Sequence, residues 1–367
     1  MSGGRNELKE LIVNRIRREG PISFRDFMEM ALYHPCLGYY EKNVKIGKEG
    51  DFITSPKVGG IFGRALFNAL REMLELSDSD ILIEIGAGDG TLSLQILDSA
   101  SSKGFNLNYI IVEKSKKNRD ILREKLKDHR VKIYSDIEEI EKPQDCVIFS
   151  NELLDALPVH IVEFDGNEFF EIFVTEENGT LKEIKLPLTN RDIINYLSNI
   201  DFELEKGQRI EINLEARKIL KSIDNVLKRG FVVFIDYGHV EKEILAPYRI
   251  RGTIRGFKKH RLVEDILENP GDIDITSSVN FSAIYRFANE IGFKLVGFTN
   301  QANFLLDSGI LEEIVDEKDI FAVKYLTLPE SGGMGEIFKV MILSKNIETT
   351  HLKCLTNSPQ RESYKLP

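Results

Sequence analysis

Apolar positions recur at helical spacing over residues 6–18, and Gly20-Pro21 interrupts them. Helical spacing resumes in "SFRDFMEMALYHP". Ser23 is placed to cap it, Asp26 completes a Ser-x-x-Asp box, and Pro35 ends it. The stretch from 37 to 60 is rich in Gly, Tyr and Lys and reads as a long loop before a helix near 61–75. From Asp80 the rhythm changes. Short apolar runs at 81–85, 108–114, 131–135 and 146–150 read as strands, with helical stretches at 91–99 and 115–127 between them. Such alternation predicts right-handed βαβ units and a parallel sheet. It pauses at 160–187, where turn pairs Asp165-Gly166 and Asn178-Gly179 predict β-hairpins inserted in the sheet domain. Helical pattern returns at 190–200 and 213–229. A buried strand follows at 231–238, then a helix at 282–292 ending near Gly292. Runs near 293–300 and 337–345 close the fold as two strands, expected to include an antiparallel pair.

The expected division is an N-terminal helical cap with a lid loop (1–78), a sheet domain with a β-rich insertion at about 160–190 (79–345), and a flexible polar tail (346–367). The fold class is α/β, with a mostly parallel Rossmann-like sheet. The chain has 367 residues, 42% hydrophobic and 29% charged, an ordinary globular balance. Its net charge of −10 argues against a non-specific nucleic-acid binder, which needs clustered bases. Three dispersed cysteines without a CxxC pair argue against structural zinc, and Cys146 opens an apolar run expected in the core. No apolar run reaches membrane-spanning length, and the N-terminus lacks a signal-peptide core. The expectation is a cytoplasmic protein of a prokaryotic host.

The stretch "ILIEIGAGDGTLSLQIL" carries the chemistry. Gly86, Ala87, Gly88 and Gly90 form a glycine-rich turn where a strand hands over to a helix, and such turns bring a nucleotide-like ligand against backbone N–H groups. Position 91 is Thr, so the dinucleotide pattern GxGxxG is not met. Glu84 and Asp89 would repel a pyrophosphate, whereas the ammonium and sulfonium of S-adenosylmethionine suit two acids. This turn resembles motif I of class I methyltransferases. Glu113 ends the second strand, 27 residues after Gly86, where an acid accepts ribose hydroxyls. Lys114 follows it. Asp136, at the end of the third strand, is placed for the adenine amino group or, alternatively, to cap a helix before "IEEI".

After the fourth strand comes "SNELLDALPVH". Glu152 and Asp155 are three apart, so one helical turn would put both on one face, where they could hold a guanidinium in a fork. Alternatively Asn151 caps a short helix with both acids in its first turns. Asn151 also counts among the cofactor-binding candidates. In "GDFITSP", Thr54 and Ser55 either cap the helix beyond or belong to a lid over the cofactor. "GTIRGFKKHR" concentrates five bases from Arg255 to Arg261, and His260 is its candidate for proton transfer.

The segments "GPISFRDFMEMALYHPCLGYY", "GDFITSP", "EIGAGDGT", "NELLDALPVH", "IDYG", "GTIRGFKKH" and "GDIDITSSVNF" together resemble the MidA family, which includes a mitochondrial complex I assembly factor with methyltransferase activity. The resemblance runs from residue 20 to about 345. It implies an S-adenosylmethionine-dependent protein arginine methyltransferase whose partner is a protein bearing the target arginine. A homodimer is a further expectation; a nucleic-acid partner is not. One departure stands out: Lys57 follows "TSP", where the family often has Glu. A small-molecule methyl acceptor and a non-catalytic S-adenosylmethionine-binding assembly factor are the alternatives; a nicotinamide dehydrogenase ranks behind both.

Overall fold

The computed structural model describes residues 6–42, 54–141, 143–259, 261–329, 331–348, 351–356 and 366. The chain divides into two compact units. One gathers the residues up to Phe52 with Asp155–Lys218 and Glu241–Ser278; the other holds Ile53–Leu154, Ile219–Val240 and Val279–Pro367. The N-terminal helices therefore share a unit with the β-rich insertion, and helix Ile61–Leu76 belongs with the large sheet. A cut at residue 78 does not describe this arrangement, because apolar faces far apart in sequence close on one another.

In the first unit, helices Glu7–Glu19 and Phe24–Tyr33 are joined at Gly20, whose positive φ suits glycine. Ser23 caps the second helix by accepting the Asp26 N–H at 3.1 Å. Leu8, Ile12, Phe24, Phe27 and Met28 pack with Val159, Ile161, Ile172 and Val174 in one core. The insertion is antiparallel. Strand Phe169–Glu177 pairs with His160–Phe164 on one side and Thr180–Pro187 on the other. Asn178 and Gly179, both at positive φ, make the two-residue turn that the sequence predicts. Strands Arg255–Lys258, Arg261–Val263 and Asp274–Thr276 form a smaller sheet, so the basic stretch is largely a hairpin.

The second unit is built on a seven-stranded main path, numbered here along the chain: β1 Ile81–Ile85, β2 Asn108–Val112, β3 Val131–Tyr134, β4 Gln144–Asn151, β5 Leu227–His239, β6 Lys294–Asn300 and β7 Phe338–Lys345. Their spatial order is 3-2-1-4-5-7-6, and Val279–Asn280 adds a short parallel pairing at the end of β5. The first five strands are parallel; β7 runs antiparallel to both neighbours. Strands in such a sheet are covered on both faces and read as continuous apolar runs, as β5 does in "FVVFI". Phe149, Phe231, Val233 and Ile342 meet Phe62, Leu66 and Leu70 of helix Ile61–Leu76 in the core. Each fully buried phenylalanine contributes roughly 2–3 kcal/mol.

Three local expectations differ. The helical pattern at 213–229 stops at Val226 and β5 starts at Leu227, since Gly230 at φ +144° lies against the Cys146 carbonyl, where a side chain has no room. Residues 152–159 form no helix: β4 runs through Asn151 and an irregular loop follows. The tail is not wholly loose either. Leu352 and Cys354 are buried, and Leu355 packs against Gly297 in β6.

Candidate functional site

Strand order reverses at β1: β2 lies on one side of it and β4 on the other. In open parallel sheets the crevice outside such a switch point, at the carboxyl ends of the strands, receives the ligand. The turn after β1 and the loop after β4 flank that position.

The turn is held by its own backbone. The Gly86 N–H donates to the Val112 carbonyl at 2.8 Å, and the Gly90 N–H to the Ala87 carbonyl at 3.0 Å. All three glycines have positive φ. They differ in what a side chain would meet. A Cβ on Gly90 would lie 2.5 Å from Leu122, and one on Gly86 2.9 Å from Leu153. At Gly88 nothing lies within 4 Å. Gly86 and Gly90 therefore serve packing, and Gly88 fronts open space.

Glu113 sits below Gly88. Its Oε2 accepts the Gly88 N–H and its Oε1 accepts the Ser115 N–H, each at 2.9 Å. Burial raises its pKa, against the pull of those two N–H donors. The Asn118 side chain is a third donor to this carboxylate, which leaves acceptor capacity for one more, such as a ribose hydroxyl.

The two acids of the turn do not behave as the sequence argument supposes. Glu84 lies in the core with its carboxylate turned to Ser93 and Tyr109. The Ser93 hydroxyl donates to Oε2, and the Tyr109 hydroxyl does so at 2.8 Å. Burial pushes its pKa up to about 7 despite these bonds. Asp89 is paired. Lys57 Nζ donates to its Oδ2, Lys125 Nζ stands 3.5 Å from the same oxygen, and the Thr91 N–H donates to Oδ1 at 3.0 Å. Burial favours the neutral acid, but the Lys57 and Thr91 hydrogen bonds and the lysine charges outweigh it and hold Asp89 below the usual carboxylate range. The pair of free anions imagined beside the cofactor is thus one buried acid and one salt-bridged acid.

At the β4 exit, Glu152 adopts φ +56°, a left-handed conformation uncommon outside glycine. Its N–H donates to the Ile235 carbonyl at 2.9 Å. Its Oε1 accepts the Ser55 N–H at 3.3 Å and the Asn151 Nδ2–H at 3.0 Å. Asp236, fully buried in β5, accepts the N–H groups of Leu153 at 3.0 Å, Leu154 at 2.7 Å and Tyr237 at 2.8 Å, and so fastens the loop that carries Glu152. The Ser55 hydroxyl donates to Gln301 Oε1 at 2.8 Å. Thr54 is the N-cap residue of the short helix Ser55–Val58 but makes no side-chain cap bond, and Gly59 and Gly60 separate that helix from Ile61–Leu76.

The turn residues, Glu113, Thr54, Ser55, Asn151 and Glu152 all belong to the second unit. Lys114 is exposed beside Glu113. Asp136 is exposed and caps the turn Ile137–Glu139 by accepting the Glu138 N–H at 2.9 Å, the plainer of its two readings. Asp155 belongs to the first unit, where its carbonyl accepts the Ser277 N–H at 2.9 Å. With no helix at 152–159, the one-turn spacing of Glu152 and Asp155 does not arise. His260 lies outside the described residues. Asp236, Lys57 and Lys125 gained no site role from the sequence. An acid within the apolar run of β5 was the available signal for Asp236; Lys57 was marked only as a departure from the family after "TSP", and Lys125 had no signal, since its partner is far off in sequence. Among the described residues no group of His, Cys, Asp and Glu is placed to hold a metal ion, and no helix is long and apolar enough to cross a membrane.

Open space at Gly88 above a buried carboxylate has room for a ribose-bearing ligand. A family described as "Putative S-adenosyl-L-methionine-dependent methyltransferase" matches residues 61–299. A Burkholderia thailandensis protein crystallised with S-adenosyl-homocysteine superposes with a TM-score of 0.86 at 29% identity, covering 96% of this chain and 95% of that one. The mitochondrial protein arginine methyltransferase NDUFAF7 of Danio rerio is 29% identical, spanning 82% of this chain and 76% of its own. Its Xenopus tropicalis counterpart is 27% identical over 91% and 85%. The fold is that of class I methyltransferases, the cofactor is S-adenosylmethionine, and the chain belongs to the S-adenosyl-L-methionine-dependent methyltransferase family known as MidA.

Proposed function

We propose that the chain transfers a methyl group to a side-chain nitrogen of arginine in a protein substrate. The observation that carries this reading is Glu152: a carboxylate at the β4 exit of a methyltransferase sheet, held in left-handed backbone and oriented by the Ser55 and Asn151 donors. Relatives named as protein arginine methyltransferases over most of the chain support the choice of acceptor. S-adenosylmethionine would supply an electrophilic methyl on sulfur. A guanidinium stays charged at neutral pH and binds a carboxylate through charge-assisted hydrogen bonds. Glu152 would fix the direction of the attacking nitrogen and stabilise the cation that gains the methyl group. As the nitrogen–carbon bond forms and the sulfur–carbon bond breaks, the nitrogen must also lose a proton, which a neighbouring carboxylate can accept. Asp155 and His260 carry no role in this proposal.

The test incubates purified protein and radiolabelled S-adenosylmethionine with a cell lysate and hydrolyses the protein fraction. Label recovered as methylarginine is the expected result. Label confined to extractable small molecules, or to another amino acid, would overturn the assignment.

A further inference from the structure

The segment Thr54–Val58 bonds to both loops that flank the switch point. At one end the Ser55 N–H reaches Glu152 at the β4 exit. At the other, Lys57 Nζ donates to Asp89 Oδ2 and, at 2.7 Å, to the Thr91 hydroxyl on the β1 exit turn. Between them the Pro56 carbonyl accepts the Gln95 Nε2–H at 2.8 Å. Strands β1 and β4 are neighbours on either side of the switch point, so five residues strap together the two loops that bound the crevice. Of these three attachments, the one through Lys57 is an ion pair.

The Lys57 side chain is one-fifth exposed and the Asp89 side chain about one-quarter. The pair is therefore screened less than a surface ion pair and resists exchange with water more strongly. Asp89 does a second job. Gly90, at the N-cap position of helix Thr91–Ser102, has no side chain, and Asp89 Oδ1 takes the Thr91 N–H in its place. The orientation of Asp89 thus fixes the start of that helix and the last step of the glycine turn. Lys57 shares Asp89 with Lys125, which stands 3.5 Å from the same oxygen, but Lys57 is the one on the segment that also carries Ser55.

We infer that Lys57 is a positioning residue for cofactor binding: its ion pair with Asp89 straps Thr54–Val58 to the glycine turn and holds that turn and Glu152 in register. The inference rests on the cofactor site assigned above and is independent of which acceptor is methylated.

The experiment measures S-adenosylhomocysteine binding by titration calorimetry for wild type, Lys57→Arg, Lys57→Met, Lys57→Glu and Lys57→Glu/Asp89→Asn, with urea midpoints for each. Asparagine at 89 keeps the acceptor for Thr91 and removes the charge that a glutamate at 57 would oppose. The expected pattern is Kd within about threefold of wild type for Lys57→Arg, raised about tenfold for Lys57→Met, and raised further for Lys57→Glu. Adding Asp89→Asn should return Lys57→Glu to the level of Lys57→Met. Hydrogen exchange should show faster exchange at Ser55 in Lys57→Met, with the β-strand amides unchanged. A Kd within twofold of wild type in both Lys57→Met and Lys57→Glu would overturn the inference. So would a lowered urea midpoint with no change in Kd, which marks a purely structural pair. Absence of binding by the wild type would instead refute the cofactor site itself, whatever Lys57 does.

Discussion

Replacing Glu84 with glutamine should change how stability depends on pH. Glu84 is buried, its Oε2 accepts the Ser93 and Tyr109 hydroxyls, and its pKa is pushed up to about 7 from an ordinary 4.5. In the unfolded chain the group loses its proton near 4.5, while in the folded protein it keeps it to about 7. Between those values the folded state binds more protons, so stability falls as pH rises. The contribution is fully present below pH 4.5, declines through the window, and is flat above about 7. A shift of this size is worth on the order of 3 kcal/mol at about 1.4 kcal/mol per unit. Glutamine retains an acceptor for the two hydroxyls and cannot titrate. Its amide N–H groups bring a cost of their own, but one independent of pH. The assay is urea unfolding of wild type and Glu84→Gln, free of cofactor, from pH 4.5 to 8. Carboxylates whose pKa values are lowered, Asp89 among them, impose the opposite slope on both proteins and cancel in the difference. Wild type should therefore lose about 3 kcal/mol relative to the variant across that range. A difference that stays level, or moves in favour of wild type as pH rises, would show that Glu84 is ionised where it lies and refute the reasoning.

Gly88→Val should abolish S-adenosylhomocysteine binding while leaving a folded protein: a Cβ there meets no protein atom within 4 Å, and strain at φ +56° costs roughly 1–3 kcal/mol. Calorimetry and a urea melt check both halves. Gly90→Ala should do the reverse. Its Cβ would lie 2.5 Å from Leu122, so the urea midpoint should drop by the equivalent of roughly 1–3 kcal/mol, while the folded fraction still binds cofactor. Glu152→Gln should lower the rate of transfer to arginine at least a hundredfold, as loss of an orienting charge does, with S-adenosylhomocysteine affinity within a few-fold of wild type. Unchanged transfer in that variant would remove Glu152 from the proposed mechanism.

The sheet was legible because a parallel strand buried on both faces writes itself as an apolar run; β2, β4 and β5 hold such runs, and β1 does so apart from Glu84. The hairpin at Asn178-Gly179 was legible for a comparable reason: the turn demands positive φ at two successive residues, and few side chains accept it. The glycine turn was recognised correctly, but its charge logic was not. Sequence places Glu84 and Asp89 beside three glycines; only the fold supplies Ser93, Tyr109, Lys57 and Lys125, and these decide whether each acid faces the ligand at all. Glu84 illustrates the general difficulty. In a parallel strand covered on both sides the alternation of faces carries no information, so a lone acid near its end can point to solvent, ligand or core with the same spelling. Glu152 fails for a different reason. Its three-residue spacing from Asp155 suggested a helix, yet Glu152 sits at φ +56° and an irregular loop follows, fastened by Asp236 through the N–H groups of Leu153 and Leu154. A buried acid 82 residues beyond Leu154 thereby sets the direction of the carboxylate on which the proposed chemistry turns. With Glu84 buried and Asp89 salt-bridged, the open backbone at Gly88 and the carboxylate of Glu113 are the candidate contacts for the cofactor.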